Sequence, residues 1–460
     1  MRGTKRSVAA RLDRSHSVRL GTLLRTRLDH LHNERLSRPQ LEARQLAKFR
    51  RLARFAQARS PYYARVIAER GIDLERCTPQ DFPVLTKRDV AQHFDELVTD
   101  RRVTREGLLR FLERSRDPGD LFLDYFNVVH TSGSSGEPGC FVYSPHDWTR
   151  GLAHGLRMHP FRPRPQRIAF FGATGGHFAG VSMVTTGERS INKLFFRIRA
   201  FEINSPLAAV VEGLNAFRPD VLLGYAMALR ILAEERARGT LTISPRLLES
   251  SGEPLGSDDR ASLERAFGAP LLNVYSCTEH LIMGLSRPGD GGMYLLEDDL
   301  IFELEPDHTR VTNLFNRTLP LIRYRMEDVL LPLESAPGPW PFRKVREIVG
   351  RNEYVPFFRN ARGGEDFISP HIINEFFVPG LRRFQMRVLD ATSFAFCVCL
   401  ERGMAPERRV TTLAAIERRW REILAQKQLE NVRFRLQEED DLPVDPKTGK
   451  FRLVVQPAQA

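Results

Sequence analysis

Long hydrophobic runs are missing from this sequence. Apolar runs such as Val221-Leu222-Leu223 break off after a few residues. A membrane-crossing helix needs about 20 apolar residues, so none is expected. The N-terminus carries arginines but lacks the apolar stretch of a secretory signal. It is Arg-rich and acid-poor like an organellar presequence, but its helical pattern runs on into the body of the chain. Cysteine is sparse: Cys77, Cys140, Cys277, Cys397 and Cys399 are an odd set without framework spacing. Buried thiols in a reducing cytosol fit better than a disulfide scaffold or a metal site. Cys397 and Cys399 alternate within an apolar run and share one strand face. No internal repeat and no long low-complexity segment is present. The expected location is cytoplasmic.

Acidic residues are scarce only at the start. Residues 1–60 hold 16 Lys/Arg and 4 Asp/Glu, while the remaining 400 residues hold 53 of each, so the whole net charge of +12 sits in the first segment. Such a segment attracts nucleic acid, an anionic membrane or an acidic partner protein. A solvated arginine-rich helix face is the favoured reading. Hydrophobic residues at 42% and charged residues at 27% make an ordinary globular balance. A chain of 460 residues exceeds one compact core and points to two or three units.

Leu20, Leu23, Leu24, Leu28 and Leu31 recur at helical spacing, which predicts an amphipathic helix that needs something to pack on. A second helix follows around Leu41 to Ala56. Pro61, in Ser60-Pro61-Tyr62-Tyr63, can open a third, and Thr86 N-caps a helix after Pro83-Val84-Leu85. Between residues 125 and 350, apolar runs (Ile168 to Phe171, Val221 to Leu223, Leu271 to Tyr275) alternate with helical segments, an α/β pattern. From residue 380 the pattern is α+β. Phe384 to Leu389, Phe394 to Leu400 and Val432 to Leu436 read as strands, and residues 406–428 as a helix. The expected units are a basic extension (1–40), an ATP- and acyl-binding domain (41–350) and a mobile C-terminal domain (351–460).

The sharpest local signal is Thr131-Ser132-Gly133-Ser134-Ser135-Gly136-Glu137-Pro138-Gly139. Its glycines let the backbone approach an anion, and its N–H and hydroxyl groups can donate to phosphate. No Gly-Lys-[Ser/Thr] follows, so it is not a Walker loop, and it is not a nucleophile elbow. Taken by itself, such a stretch is more often a flexible turn.

Further motifs follow in order. They are Asn273-Val274-Tyr275-Ser276-Cys277-Thr278-Glu279, Leu321 to Asp328 around Arg323-Tyr324-Arg325, Gly350-Arg351-Asn352-Glu353 and Pro446-Lys447-Thr448-Gly449-Lys450. The ordered set resembles the adenylate-forming superfamily of acyl-CoA synthetases, luciferases and peptide-synthetase adenylation domains. Ser60-Pro61-Tyr62-Tyr63 and Pro83-Val84-Leu85-Thr86-Lys87 resemble the phenylacetate–coenzyme A ligase and CapK-like group. The resemblance covers residue 45 to the end.

This resemblance implies a large α/β N-terminal domain with a small α+β C-terminal lid. It implies ATP-dependent activation of a carboxylic acid to an acyl-adenylate, then transfer to the thiol of coenzyme A. Thr131, Ser132, Gly133, Ser134, Ser135 and Gly136 would grip phosphates, and Glu279 would bind Mg²⁺. Asp328 would hold the ribose, and Tyr275 would lie near the adenine with Gly252, Glu253 and Pro254. Ser276, Thr278 and Arg351 complete the expected nucleotide set. Lys450 would bridge the carboxylate and the α-phosphate, and Glu353 would sit at the hinge. The expected acyl pocket is Gly176, His177 and Phe178 with Tyr225, and an aryl acid is favoured. Taken singly, Glu279 or Asp328 is more often a surface carboxylate, Lys450 a turn lysine, and the pocket residues plain core.

Departures from the family pattern are Gly139 in place of a lysine, Tyr275-Ser276 for Tyr-Gly, Met326-Glu327 for Thr-Gly, and Glu353 for Asp. They bear on the second half-reaction more than on the fold. The alternative acceptor is an acidic acyl carrier protein. The rival of another class is a nucleic-acid- or membrane-binding module on a degenerate ligase fold. A homodimer is implied by resemblance only.

Overall fold

The apolar runs between residues 166 and 277 form a parallel sheet buried on both faces, as such composition requires. The strands are β3 (Gln166–Gly172), β4 (Phe196–Glu202), β5 (Val221–Gly224), β6 (Leu247–Ser251) and β7 (Leu271–Cys277). They lie in the order β4-β3-β5-β6-β7, all parallel. Helices Ala179–Arg189, Leu207–Phe217, Ala226–Ala237 and Ser257–Phe267 connect them in turn. The sheet continues antiparallel through β8 (Leu281–Ser286), β9 (Met293–Leu295) and β13 (Lys344–Val345), eight strands in all. A hairpin of β1 (Asn127–His130) and β2 (Cys140–Tyr143) flanks it. A small sheet of β10 (Leu300–Leu304), β11 (Thr309–Asn313) and β12 (Tyr324–Met326) completes this body.

The computed structural model describes residues 19–131, 139–159, 162–189, 195–253, 255–334, 338–346, 355–368, 373, 376, 378–443 and 452–455. The expected boundary at 350/351 lies outside them.

The C-terminal part is α+β. A hairpin, β14 (Phe357–Arg359) with β15 (Glu365–Phe367), precedes a four-stranded sheet. That sheet has the order β18-β17-β16-β19, from β16 (Leu381–Asp390), β17 (Ser393–Leu400), β18 (Arg433–Glu438) and β19 (Val454–Val455). Helix Pro406–Gln426 covers it, and its buried Trp420 nests among Phe376, Phe394 and Phe396. Removing so large a buried ring costs about 3–5 kcal/mol in comparable cores. Cys397 and Cys399 share one buried face with Ala395 and Leu442, and none of the five cysteines is joined in a disulfide. The two parts are tied by buried Lys427, which donates to Asp366 at 3.0 Å and to the Ser205 carbonyl at 3.2 Å.

The N-terminal helices are α1 (Leu20–Asn33), α2 (Arg38–Arg59) and α3 (Pro61–Arg70). Pro61 opens α3, and Thr86 and Asp89 form a capping box. The expectation for α1 needs correction. Its leucines were expected to face a neighbour, but Leu20, Leu24, Leu28 and Leu31 are exposed and only Leu23 of the set is buried. The inner face is instead polar: Thr26, His30 and Asn33.

The reason is a buried ion network. Asn33 donates to Asp298 at 3.0 Å, and the His30 ring lies 3.3 Å from Asp299. Arg157 reaches Asp298 at 2.7 Å, and Arg150 and Lys48 reach Asp299 at 2.8 and 2.9 Å. Burial would raise both carboxyls, but Arg157 at Asp298, and Arg150 and Lys48 at Asp299, hold them far below the usual range. Burial, with Arg157 beside it, presses the His30 imidazole down to about 3, so it stays neutral. The paired charges must be covered, and α1 covers them.

Candidate active site

In open α/β sheets, ligands bind beyond the carboxyl ends of the strands. Four of the expected segments lie at those ends. Gly172 ends β3 just before Gly176, His177 and Phe178, and Tyr225 follows β5. Gly252 and Glu253 follow β6, and Tyr275 to Glu279 run off the end of β7.

Glu279 is half-buried, and its environment is built from three distant segments. The Leu85 backbone bridges to Tyr324: Leu85 N–H donates to the Arg323 carbonyl and Arg325 N–H to the Leu85 carbonyl. This carries Lys87 toward Glu279. The Tyr324 hydroxyl donates to Glu279 at 3.3 Å, and the Tyr143 hydroxyl reaches the carbonyls of Thr278 and Glu279 at 2.9 and 2.8 Å. Burial raises the Glu279 carboxyl, while its own backbone N–H, Cys277, the Lys87 ammonium and the Tyr324 hydroxyl oppose it. Burial in turn lowers Lys87, and Glu279 opposes that. Burial also keeps Tyr143, Tyr275 and Tyr324 neutral as donors. A carboxylate with hydroxyl neighbours is the hard-oxygen donor set that Mg²⁺ takes. In the sequence, Lys87 and Tyr324 stand out only as members of longer motifs. Their role depends on the strand pairing, which sequence spacing does not reveal.

Tyr275 is buried, and its hydroxyl donates to Asp328 at 2.7 Å. The phenol thereby orients the carboxylate expected at the ribose. Thr131 pairs with Gly139 twice: Thr131 N–H donates to the Gly139 carbonyl, and Gly139 N–H to the Thr131 hydroxyl, both at 2.9 Å. Thr131 thus clasps the base of the glycine/serine loop. Gly252 has φ +77°, a left-handed conformation that side chains disfavour. Glu253 accepts from Met227 N–H at 2.9 Å and caps helix Ala226–Ala237. Ser132, Gly133, Ser134, Ser135, Gly136, Pro254, Arg351, Glu353 and Lys450 lie outside the described residues.

The expected pocket residues divide. Gly176, His177 and Phe178 line an interdomain cleft of about 320 Å³ with Arg116, Glu202 and Arg419. His177 is buried, held neutral by burial against the pull of Asp120 and Asp117, and lies 3.0 Å from the Ser115 hydroxyl. Tyr225 packs in the core, edge-on to Phe170 at 6.1 Å. A second, apolar cavity of about 180 Å³ is lined by Leu23, Met183, Val184, Phe170 and Ile282, with Ser251 and Ser276 also in its wall. Glu249 joins it, 2.9 Å from His159. Of the expected site residues, Ser276 lines it, as does Phe170 from the strand that leads into the expected pocket turn. No short motif announces its aliphatic side chains, which read as core in sequence.

No protein-family model matches the chain. CapK of Staphylococcus aureus is 21% identical over 333 residues, 66% of this chain and 66% of CapK, just under two thirds of that protein's length. Phenylacetate-coenzyme A ligase of Thermus thermophilus is 24% identical over 362 residues, 71% of this chain and 74% of that enzyme. The chain is thus similar to the phenylacetate–coenzyme A ligase and CapK-like group of the adenylate-forming superfamily. Solved structures carry the same fold. The 2-hydroxyisobutyryl-CoA ligase in complex with 2-HIB-AMP and CoA, in the thioesterification state, superposes on this chain with a TM-score of 0.57 at 20% identity. It covers 92% of this chain and 91% of that one. The open conformation of the same ligase gives 0.54 at 18% identity, over 89% and 90%.

Proposed function

We propose that this chain is an AMP-forming acid–thiol ligase that activates an aryl acid with ATP and passes it to coenzyme A. The observation that carries the reading is the convergence of Glu279, Lys87, Tyr324 and the Tyr275–Asp328 pair at the carboxyl end of β7, a strand that also lines the apolar cavity through Ser276. Nucleotide chemistry and an apolar acid then meet at one place.

A carboxylate oxygen attacks the α-phosphorus of ATP. The bond to the β-phosphate oxygen breaks, and pyrophosphate leaves. A thiol then attacks the acyl carbon, and AMP leaves. Catalysis here is positioning and charge stabilisation. Asp328, oriented by Tyr275, holds the ribose; Glu279 would hold Mg²⁺, which would neutralise phosphate charge when bound. The loop from Thr131 to Gly136 grips the phosphates, and Lys450 bridges the reacting groups. Arg351 and Glu353 serve the hinge between the half-reactions.

The cavity supports the aryl preference. A dry cavity of about 150 Å³ lined by Leu, Ile and Phe accommodates benzene, and this one is slightly larger. Glu249 in its wall favours a ring with a hydroxyl or amino donor. The test is thioester formation with ATP, coenzyme A and a panel of aryl, hydroxyaryl and fatty acids. Thioester from aryl acids supports the reading. Product only with an acidic acyl carrier protein moves the acceptor. Turnover of fatty acids alone overturns the aryl assignment.

A further inference from the structure

α1 faces two ways. Its inner side is held by the ion network, and its outer side is an apolar ridge. Leu20, Leu24, Leu28 and Leu31 are 40%, 45%, 67% and 37% exposed. They fall at i, i+4, i+8 and i+11, one narrow stripe about 16 Å long at the helical rise. Exposed Arg19, Arg25 and Arg35 border it, with half-buried Arg27 beside them. The preceding residues 1–18 add five Lys/Arg against one Asp.

We propose that this ridge docks the protein on an anionic lipid bilayer. Leucines on one helix face with basic residues around them are the composition of an interfacial helix, and the ring of positive charge complements acidic headgroups. A nucleic acid would use the arginines and leave the leucines without a role, since phosphate contacts need charge alone. A second copy meeting ridge to ridge would bring the same arginines face to face. The ridge is a convex single helix set on a charged base, which suits a fluid surface into which leucines can insert.

The placement has a consequence. Leu23, on the inner side of α1, lines the apolar cavity, so a docked helix would set that cavity about one helix diameter, roughly 10 Å, from the lipid. Lipophilic acids dissolved in the bilayer would then lie close by. This consequence rests on the acid-activating reading; the docking does not.

The test is sedimentation of the full chain with phosphatidylcholine vesicles, with and without phosphatidylglycerol. Binding is expected only with the anionic lipid and weakens as salt rises. Leu24→Glu with Leu28→Glu should weaken it at least about tenfold, and Arg25→Glu about fivefold, with melting temperature and adenylation unchanged. Leu28→Trp gives a second readout: its emission should shift to the blue on adding anionic vesicles. No sedimentation with anionic vesicles overturns the proposal, as does unchanged binding by the leucine double variant. A dimer in solution that this variant splits, without vesicle binding, assigns the ridge to a second copy. DNA binding without vesicle binding assigns it to nucleic acid.

Discussion

Lys87 and Glu279 face each other across a site built from segments far apart in the chain. Burial pushes the Glu279 carboxyl up, and the Lys87 ammonium and Tyr324 hydroxyl pull against it. A raised carboxyl protonates earlier as pH falls, and the charged form that holds a cation is lost. Lys87→Met removes one of the opposing charges, so the carboxyl rises further. The acid limb of the rate profile should move to higher pH, while the alkaline side stays in place. A pH–rate profile of adenylation checks this; an unmoved acid limb separates Lys87 from Glu279. Met183 belongs to the cavity wall and is half-buried. Met183→Trp should fill the cavity and raise KM for the acid at least about tenfold, leaving KM for ATP unchanged. Competition between acids of graded size reads the effect.

Elements differ in how much of their environment is local. Thr86 and Asp89 form their capping box within one turn, and Pro61 opens α3 by its own ring. These were legible in sequence, as were β3, β5 and β7 of the large sheet and β16, β17 and β18 of the small one, because apolar runs are short-range signals; β4, whose Arg197 and Arg199 are exposed, breaks that pattern. The motif segments at the carboxyl ends of β3, β5 and β6 follow from the same kind of signal, since Gly172, Gly224 and Gly252 mark those ends, whereas β7 runs out at Cys277 without one. The inward face of α1 was not legible. The leucine spacing pointed one way, and the partners that turn the helix over, Asp298, Asp299, Arg150 and Arg157, lie far off in sequence. The apolar cavity stayed hidden likewise, since Leu23, Phe170 and Ile282 come from three separate elements.

The same network makes α1 acid-sensitive. His30 is neutral when docked, with its imidazole held down to about 3, but the unfolded histidine takes a proton near pH 6.5. Undocked α1 therefore binds the extra proton, and docking loses stability as pH falls from about 6.5 toward 3. Asp298 and Asp299, held low, add to the loss below about pH 4, where their free forms protonate. Amide protection factors across Leu20–Asn33, corrected for the intrinsic pH dependence of exchange, should fall between pH 7 and 5 while those of β5 and β6 hold. An equal fall in the sheet would contradict a local release.

At the scale of the whole molecule, a buried ion pair within the C-terminal part, Lys427 with Asp366, grips the other part: Lys427 donates to the Ser205 carbonyl, Asp366 accepts from Leu207 N–H, and Phe367 lies edge-on to Phe171. Removing one partner of such a pair leaves a buried charge uncompensated and costs about 3–5 kcal/mol. Lys427→Met should therefore destabilise more than Lys427→Met with Asp366→Asn, as read by chemical denaturation of the full chain. Equal losses would make the contact electrostatically neutral.

The central claim is that this fold still activates a carboxylic acid. Carboxylate-dependent ATP–pyrophosphate exchange, run across aryl acids with no thiol present, tests it most directly. The account predicts exchange with at least one aryl acid, abolished by Asp328→Ala and by Lys450→Ala. Silence across the panel, or exchange undiminished in both variants, would contradict it.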